Sequence, residues 1–120
     1  MTYLETYTSS LNNSSLSDSI MTTAKSVVSN IESRFDFTEP LTGLLLGNVQ
    51  SGKTGQMLGV ISHLADKGYR IFLLLTTDNI DLQRQTYNRV KSALTSFTVL
   101  SESDVVLFNP HNLIKPIVIV

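Results

Sequence analysis

The run Gly47-Asn48-Val49-Gln50-Ser51-Gly52-Lys53-Thr54 constrains this chain more than any other feature, because it completes the pattern G-x-x-x-x-G-K-[ST]. From average residue usage, such an octet arises by chance in a chain this long roughly a few times in a thousand. An apolar run, Leu41-Thr42-Gly43-Leu44-Leu45-Leu46, precedes it, and a helical pattern follows. Strand, loop and helix are the order that phosphate binding requires. Gly47 and Gly52 let the backbone approach an anion without an intervening Cβ. A helix beginning near Gly52 aims unpaired N–H groups and its positive dipole end at the same anion. Lys53 has the reach to meet β- and γ-phosphates, and Thr54 offers a hydroxyl to a magnesium ion. The candidate ATP-binding residues are therefore Gly47, Asn48, Val49, Gln50, Ser51, Gly52, Lys53 and Thr54, with Lys53 and Thr54 as the catalytic candidates. The Gln50 amide suits either a bond to the loop backbone or an approach to phosphate. A ligand-free strand-to-helix turn would explain Gly47 and Gly52 but not Lys53-Thr54.

With 120 residues there is room for one small domain. The apolar fraction, 42%, supports a globular core. A net charge of −1 argues against a strongly electrostatic nucleic-acid binder, though not against a local basic stripe. The lack of cysteine excludes disulfide staples and thiol–zinc sites. The opening Met-Thr-Tyr-Leu-Glu lacks the basic-then-apolar plan of a secretion signal, and no apolar run is long enough to cross a bilayer. The simplest expectation is a soluble cytoplasmic protein.

Residues 1–18 read as a flexible polar N-terminus, since Thr8 to Asp18 is almost wholly Ser, Thr, Asn and Leu. Over 19–40 the pattern becomes a helix and a connection. Ile20, Met21, Ala24, Val27, Val28, Ile31 and Phe35 make one apolar stripe, Asp18 is the expected N-cap, and Pro40 lies beyond the end. Such a helix packs on a neighbouring sheet or, alternatively, receives a partner.

From Leu41 the chain alternates as an α/β layer with a mostly parallel sheet. The expected elements are a first strand at 41–46, a helix at 53–65 ending near Lys67-Gly68, and a second strand at 70–76 buried on both faces. A helix at 79–95 follows, with Ile80, Leu82, Val90 and Leu94 inward and Arg84, Asn88 and Lys91 outward. A third strand is expected at Val105–Phe108, with a short one at 97–100 before it, and a last strand at 117–120. Gly55 at the start of the 53–65 helix suggests close packing there.

A P-loop hydrolase needs a carboxylate at the end of a neighbouring strand to support magnesium. The acidic residues after the loop are Asp66, Asp78, Asp81, Glu102 and Asp104, and none forms an Asp-Asp or Asp-Glu pair after an apolar strand. Asp78 comes nearest, but it reads better as the N-cap of the helix that follows. The expectation is an N-terminal piece of a longer enzyme, with 41–120 a partial P-loop lobe that stops before the acidic magnesium motif.

The stretch from Thr42 to Thr54 resembles the start of the Z-one domain proteins, bacterial helicase-like proteins often described as endonucleases. Val49-Gln50-Ser51 is its distinctive part, where most phosphate-binding loops carry glycine or alanine. The likeness continues through Gly68-Tyr69-Arg70, the second strand, Asn79-Ile80-Asp81-Leu82-Gln83-Arg84-Gln85-Thr86 and Lys115 to Val120, and so covers about residues 41 to 120. Asp81 and Gln83 shift the spacing from the family's Asn-x-Leu-Arg-x-Gln-Thr segment. The resemblance implies a superfamily-two motor core of two three-layer RecA-like lobes, with ATP and Mg2+ between them and DNA across the top. This chain would supply most of one lobe, and the second lobe of the same polypeptide would be its partner.

By the same resemblance, Thr76, Thr77, Asn79, Gln85 and Arg89 occupy the place where helicase-like proteins touch the nucleic-acid backbone. Hydroxyls, amides and an arginine hold phosphates without reading bases, but the same residues serve equally to cap and solvate a helix. His63 reads as packing or surface, and His111 lacks partners at metal-ligand spacing. The competing function class is a self-contained, non-catalytic nucleotide-binding or interaction module.

Overall fold

The computed structural model describes residues 1–46, 53–76, 79–105 and 115–120. They fall into two compact units, Met1–Asp66 and Lys67–Val120.

The first unit is helical. Helix α1 spans Tyr3–Ser9, α2 spans Ser14–Arg34 and α3 spans Lys53–Asp66. The expectation of a flexible segment over 1–18 gives way here, because the polar residues act as caps. The Thr2 hydroxyl accepts the Glu5 N–H at 3.1 Å while the Glu5 carboxylate accepts the Thr2 N–H at 3.2 Å, a complete capping box. Leu4, Tyr7 and Thr8 are buried, so a helix of two turns is held by docking rather than by propensity. Helix α2 starts five residues before the expected Ser19, and its N-cap is Asn13, not Asp18; the Asn13 side chain accepts the Leu16 N–H at 3.1 Å. The apolar stripe narrows to Ile20, Ala24 and Val28, spaced by four, and these pack against α3.

Past α2, the Asp36 carboxylate accepts both the backbone N–H and the hydroxyl of Thr38, at 3.1 and 2.6 Å. These bonds hold its carboxyl below the ordinary carboxylate value. Phe37 takes a left-handed φ of 65° within this Asx turn, its ring 4.5 Å from that of Phe35. Residues 41–46 are not in a strand, contrary to expectation, and Leu44 and Leu46 are exposed. An apolar run signals a need for burial without specifying a partner edge, and Gly43 within it weakens the strand preference.

The second unit is a three-stranded parallel sheet with its helices. Strand β1 is Ile71–Leu73, β2 is Thr98–Leu100 and β3 is Ile117–Ile119, in the order β1-β3-β2. Ile117 aligns with Ile71 and Thr98, and Ile119 with Leu73 and Leu100. The central strand is bonded on both sides: Ile117 N–H donates to Arg70 O at 2.7 Å, and Val120 N–H donates to Leu100 O at 2.9 Å. Ile117, Val118 and Val120 are buried, as a strand with two neighbours requires. Pro116, which has no N–H to give, sits just before the strand and offers only its carbonyl, to Thr98 N–H at 2.9 Å.

The expected second strand is shorter than its apolar run and is not buried on both faces. Ile71, Leu73 and Leu75 are exposed, while Phe72 lies 6.3 Å from the Phe97 ring. Helix α4 spans Ile80–Ala93, inside the expected 79–95. Val90 and Leu94 are buried as expected, but Ile80 and Leu82 are exposed, so among the described residues burial is confined to the C-terminal end of the helix. Val105 belongs to a short helix, α5 at Glu102–Val105, rather than to a strand. Ser101 and Asp104 exchange local bonds that favour this turn over an extended chain. The remainder of that expected strand, 106–108, lies outside the described residues. The short strand at 97–100 and the terminal strand are present as β2 and β3.

Candidate functional site

Of the candidate nucleotide-binding residues, Lys53 and Thr54 are described, whereas Gly47, Asn48, Val49, Gln50, Ser51 and Gly52 lie outside the described residues. Lys53 is the first residue of α3, a helix of 14 residues. Its side chain is exposed, as is that of Met57 one turn on, while Thr54 is half-buried. A cationic side chain beside a helix N-terminus is suited to an anion: the ammonium and the first N–H groups of the helix carry the same sign of charge.

The opposite face of α3 is committed to packing. Gly55, Leu58, Gly59, Ser62 and Ala65 recur at helical spacing and are buried. Gly59, rather than the expected Gly55, is the glycine that close packing demands: a Cβ there would overlap Ile20 Cγ2, whereas one on Gly55 would meet only ordinary contacts, at 3.5 Å from the Tyr7 hydroxyl and 3.6 Å from Ile20 Cδ1. The Ser62 hydroxyl is buried but satisfied, donating to Leu58 O at 2.8 Å. The Gln56 amide donates to the Ser19 hydroxyl at 3.1 Å, and its Oε1 is shielded from solvent with no hydrogen-bond partner among the described residues.

Three hydrogen bonds tie α1 along α3. The buried Tyr7 hydroxyl donates to Gly55 O at 3.1 Å, one residue beyond Thr54. At the other end, the Asp66 carboxylate accepts the N–H groups of Tyr3 and Leu4 at 2.7 and 3.3 Å, closing the N-terminus of α1. His63 Nδ1 lies 3.5 Å from the same carboxylate, so His63 is a local partner of Asp66. Sequence reasoning assigned no role to Tyr7, because its neighbourhood is polar. The readable signal was the capping box Thr2-x-x-Glu5 ahead of Leu4 and Tyr7, which are spaced by three.

The acidic residues weighed as magnesium supports have other work where they are described. Asp66 caps α1, Asp81 and Glu102 lie in the first turns of α4 and α5, and Asp104 accepts from Ser101 N–H and hydroxyl at 3.0 and 2.9 Å. These Ser101 bonds, backbone first, hold the Asp104 carboxyl below its ordinary value, with a smaller contribution from Lys91. Among the described residues no group of three His, Cys, Asp or Glu side chains is placed to hold a metal ion. Asp78 and His111 lie outside the described residues.

Of the candidate nucleic-acid residues, Thr77 also lies outside the described residues. Thr76 and Asn79 are exposed, and Asn79 is the N-cap of α4 in place of the expected Asp78. The Asn79 side chain accepts the N–H groups of Asp81 and Leu82 at 3.0 and 3.2 Å. Gln85 and Arg89 are both exposed, and their spacing of four puts them on one face of α4.

No protein-family model, curated protein or solved structure matches this chain. The class that the fold defines is thus a mixed helix-and-strand protein with a small parallel sheet. No helix among the described residues is long and apolar enough to cross a membrane.

Proposed function

We propose that this chain is the ATP-binding part of a helicase-like, DNA-acting ATPase of the superfamily-two type. The observation that carries the reading is the complete octet 47–54 running directly into a helix whose first two residues are Lys53 and Thr54. The resemblance to the Z-one domain proteins extends it to a RecA-like lobe of an endonuclease-type enzyme of DNA restriction or defence. Bound Mg-ATP would supply the γ-phosphoryl group for hydrolysis. The exposed Lys53 ammonium would offset the charge on its phosphates, the start of α3 would direct N–H groups toward them, and the Thr54 hydroxyl would ligate the magnesium. Gln85 and Arg89, side by side on α4, suit phosphate contacts on a DNA strand that are indifferent to sequence.

A second reading has its own support: the described acidic residues after the loop, Asp66, Asp81, Glu102 and Asp104, are engaged as caps or lie in first helical turns, which fits a module that binds a nucleotide without hydrolysing it. Calorimetric titration with ATP, with and without magnesium, tests both. Magnesium-dependent binding that Thr54→Ala reduces supports either reading, and DNA-stimulated phosphate release selects the first. No binding under either condition removes both.

A further inference from the structure

Helix α1 lies along α3, the helix that begins with Lys53 and Thr54, and is fastened at each end. At one end Asp66 accepts the N–H groups of Tyr3 and Leu4; at the other the Tyr7 hydroxyl donates to Gly55 O at 3.1 Å. Tyr7 is buried, and so is Gly55. The Gly55 carbonyl belongs to the first turn of α3, so a buried donor on it restrains the backbone from which Lys53 and Thr54 project. Leu4 and Tyr7 anchor α1 through apolar packing, which Tyr7 would provide equally well as phenylalanine. The hydroxyl therefore contributes something beyond packing: a directional bond to the residue after Thr54.

We propose that Tyr7 is a positioning residue for nucleotide binding, fixing the first turn of α3 so that Lys53 and Thr54 are held ready for phosphate and magnesium. The inference rests on the Mg-ATP reading given above. Preorganisation lowers the cost of ordering on binding, so its loss appears as weaker affinity in a protein that remains folded. A single net hydrogen bond corresponds to roughly a threefold to tenfold change in dissociation constant.

The test compares parent and Tyr7→Phe proteins by calorimetric titration with Mg-ATP, well below both melting temperatures, together with hydrogen exchange of the amides of 53–59 without nucleotide. The expected result is about threefold to tenfold weaker binding and faster exchange confined to those amides. A residue that merely supports the fold would lower the melting temperature and leave affinity and local exchange unchanged. Unchanged affinity in folded Tyr7→Phe, with the parent binding Mg-ATP, overturns the role of Tyr7 alone. A parent that does not bind Mg-ATP overturns the underlying reading and the role with it. If Tyr7→Phe does not fold, 4-aminophenylalanine at position 7 decides the matter, since it fills the same space and offers Gly55 O a weaker donor. Weaker Mg-ATP binding is then expected, and unchanged affinity overturns the proposal.

Discussion

Gly59 of α3 lies against Ile20 of α2 with no room for a methyl group between them. Ile20 is fully buried and heads the row Ile20, Ala24, Val28, so the missing Cβ of Gly59 lets the two helices approach closely at this point. Gly59→Ala should therefore destabilise the protein by about 1–3 kcal/mol, the usual cost of overpacking. Gly55→Ala should stay within about 1 kcal/mol of the parent, because its Cβ meets only ordinary contacts. Urea denaturation of the two variants checks the difference. Equal effects would mean that the α2–α3 contact is looser than described.

Asn79 caps α4 through two accepted N–H groups, so Asn79→Ala should cost about 1 kcal/mol. Asn79→Asp should retain nearly all of that stability, since a carboxylate caps as well and favours the helix dipole. The pair also separates the two roles considered for Asn79. If DNA binding by the protein falls with Asn79→Asp while thermal stability holds, the side chain contacts phosphate as well as capping.

The pH dependence at Asp104 has a definite sign. Its bonds from Ser101 hold the folded carboxyl below the ordinary value of 3.8. Its contribution is therefore fully present above that value and is lost as pH falls through the lower folded value. Carbon-detected NMR titration should place the Asp104 midpoint below 3.8, and Ser101→Ala should move it upward. An unmoved midpoint would show that the Ser101 hydroxyl is not a cause, since the variant keeps the larger backbone N–H bond.

Within the sheet, position outweighs residue type. Val118 on the central strand is fully buried, and Val118→Ala should cost about 2 kcal/mol from lost burial and the cavity left behind. Leu73 on β1 is 68% exposed, and Leu73→Ala should change stability by less than about 0.5 kcal/mol despite removing more carbon. Chemical denaturation of both variants checks the order.

The sequence was most legible where periodicity ran long. The helices around 53–65 and 80–93 and the parallel terminal strand were readable from apolar spacing and from the start and stop residues around them. Gly68, with φ of 101°, ends α3 two residues after Asp66 as a left-handed C-terminal glycine should. What escaped depended on partners distant in sequence. Residues 3–9 look polar until Tyr7 meets Gly55 and Asp66 closes the helix from 63 residues beyond Tyr3. The runs 41–46 and 71–75 announce apolar character but not which edge or face receives it. At the candidate site, the motif singles out Lys53 and Thr54 as candidates, whereas the close approach at Gly59 and the Tyr7–Gly55 bond are visible only in the structure.

Phosphate binding through Lys53 is tested by the affinity of Lys53→Ala for Mg-ATP, measured by calorimetry beside the parent protein. Lys53 is exposed and packs in no core, so its loss should leave the fold intact while removing the principal positive charge proposed to meet the phosphates. The parent is expected to bind, and Lys53→Ala to weaken binding at least tenfold, about 1.4 kcal/mol or more. Binding of equal strength in the two proteins would contradict phosphate binding through Lys53.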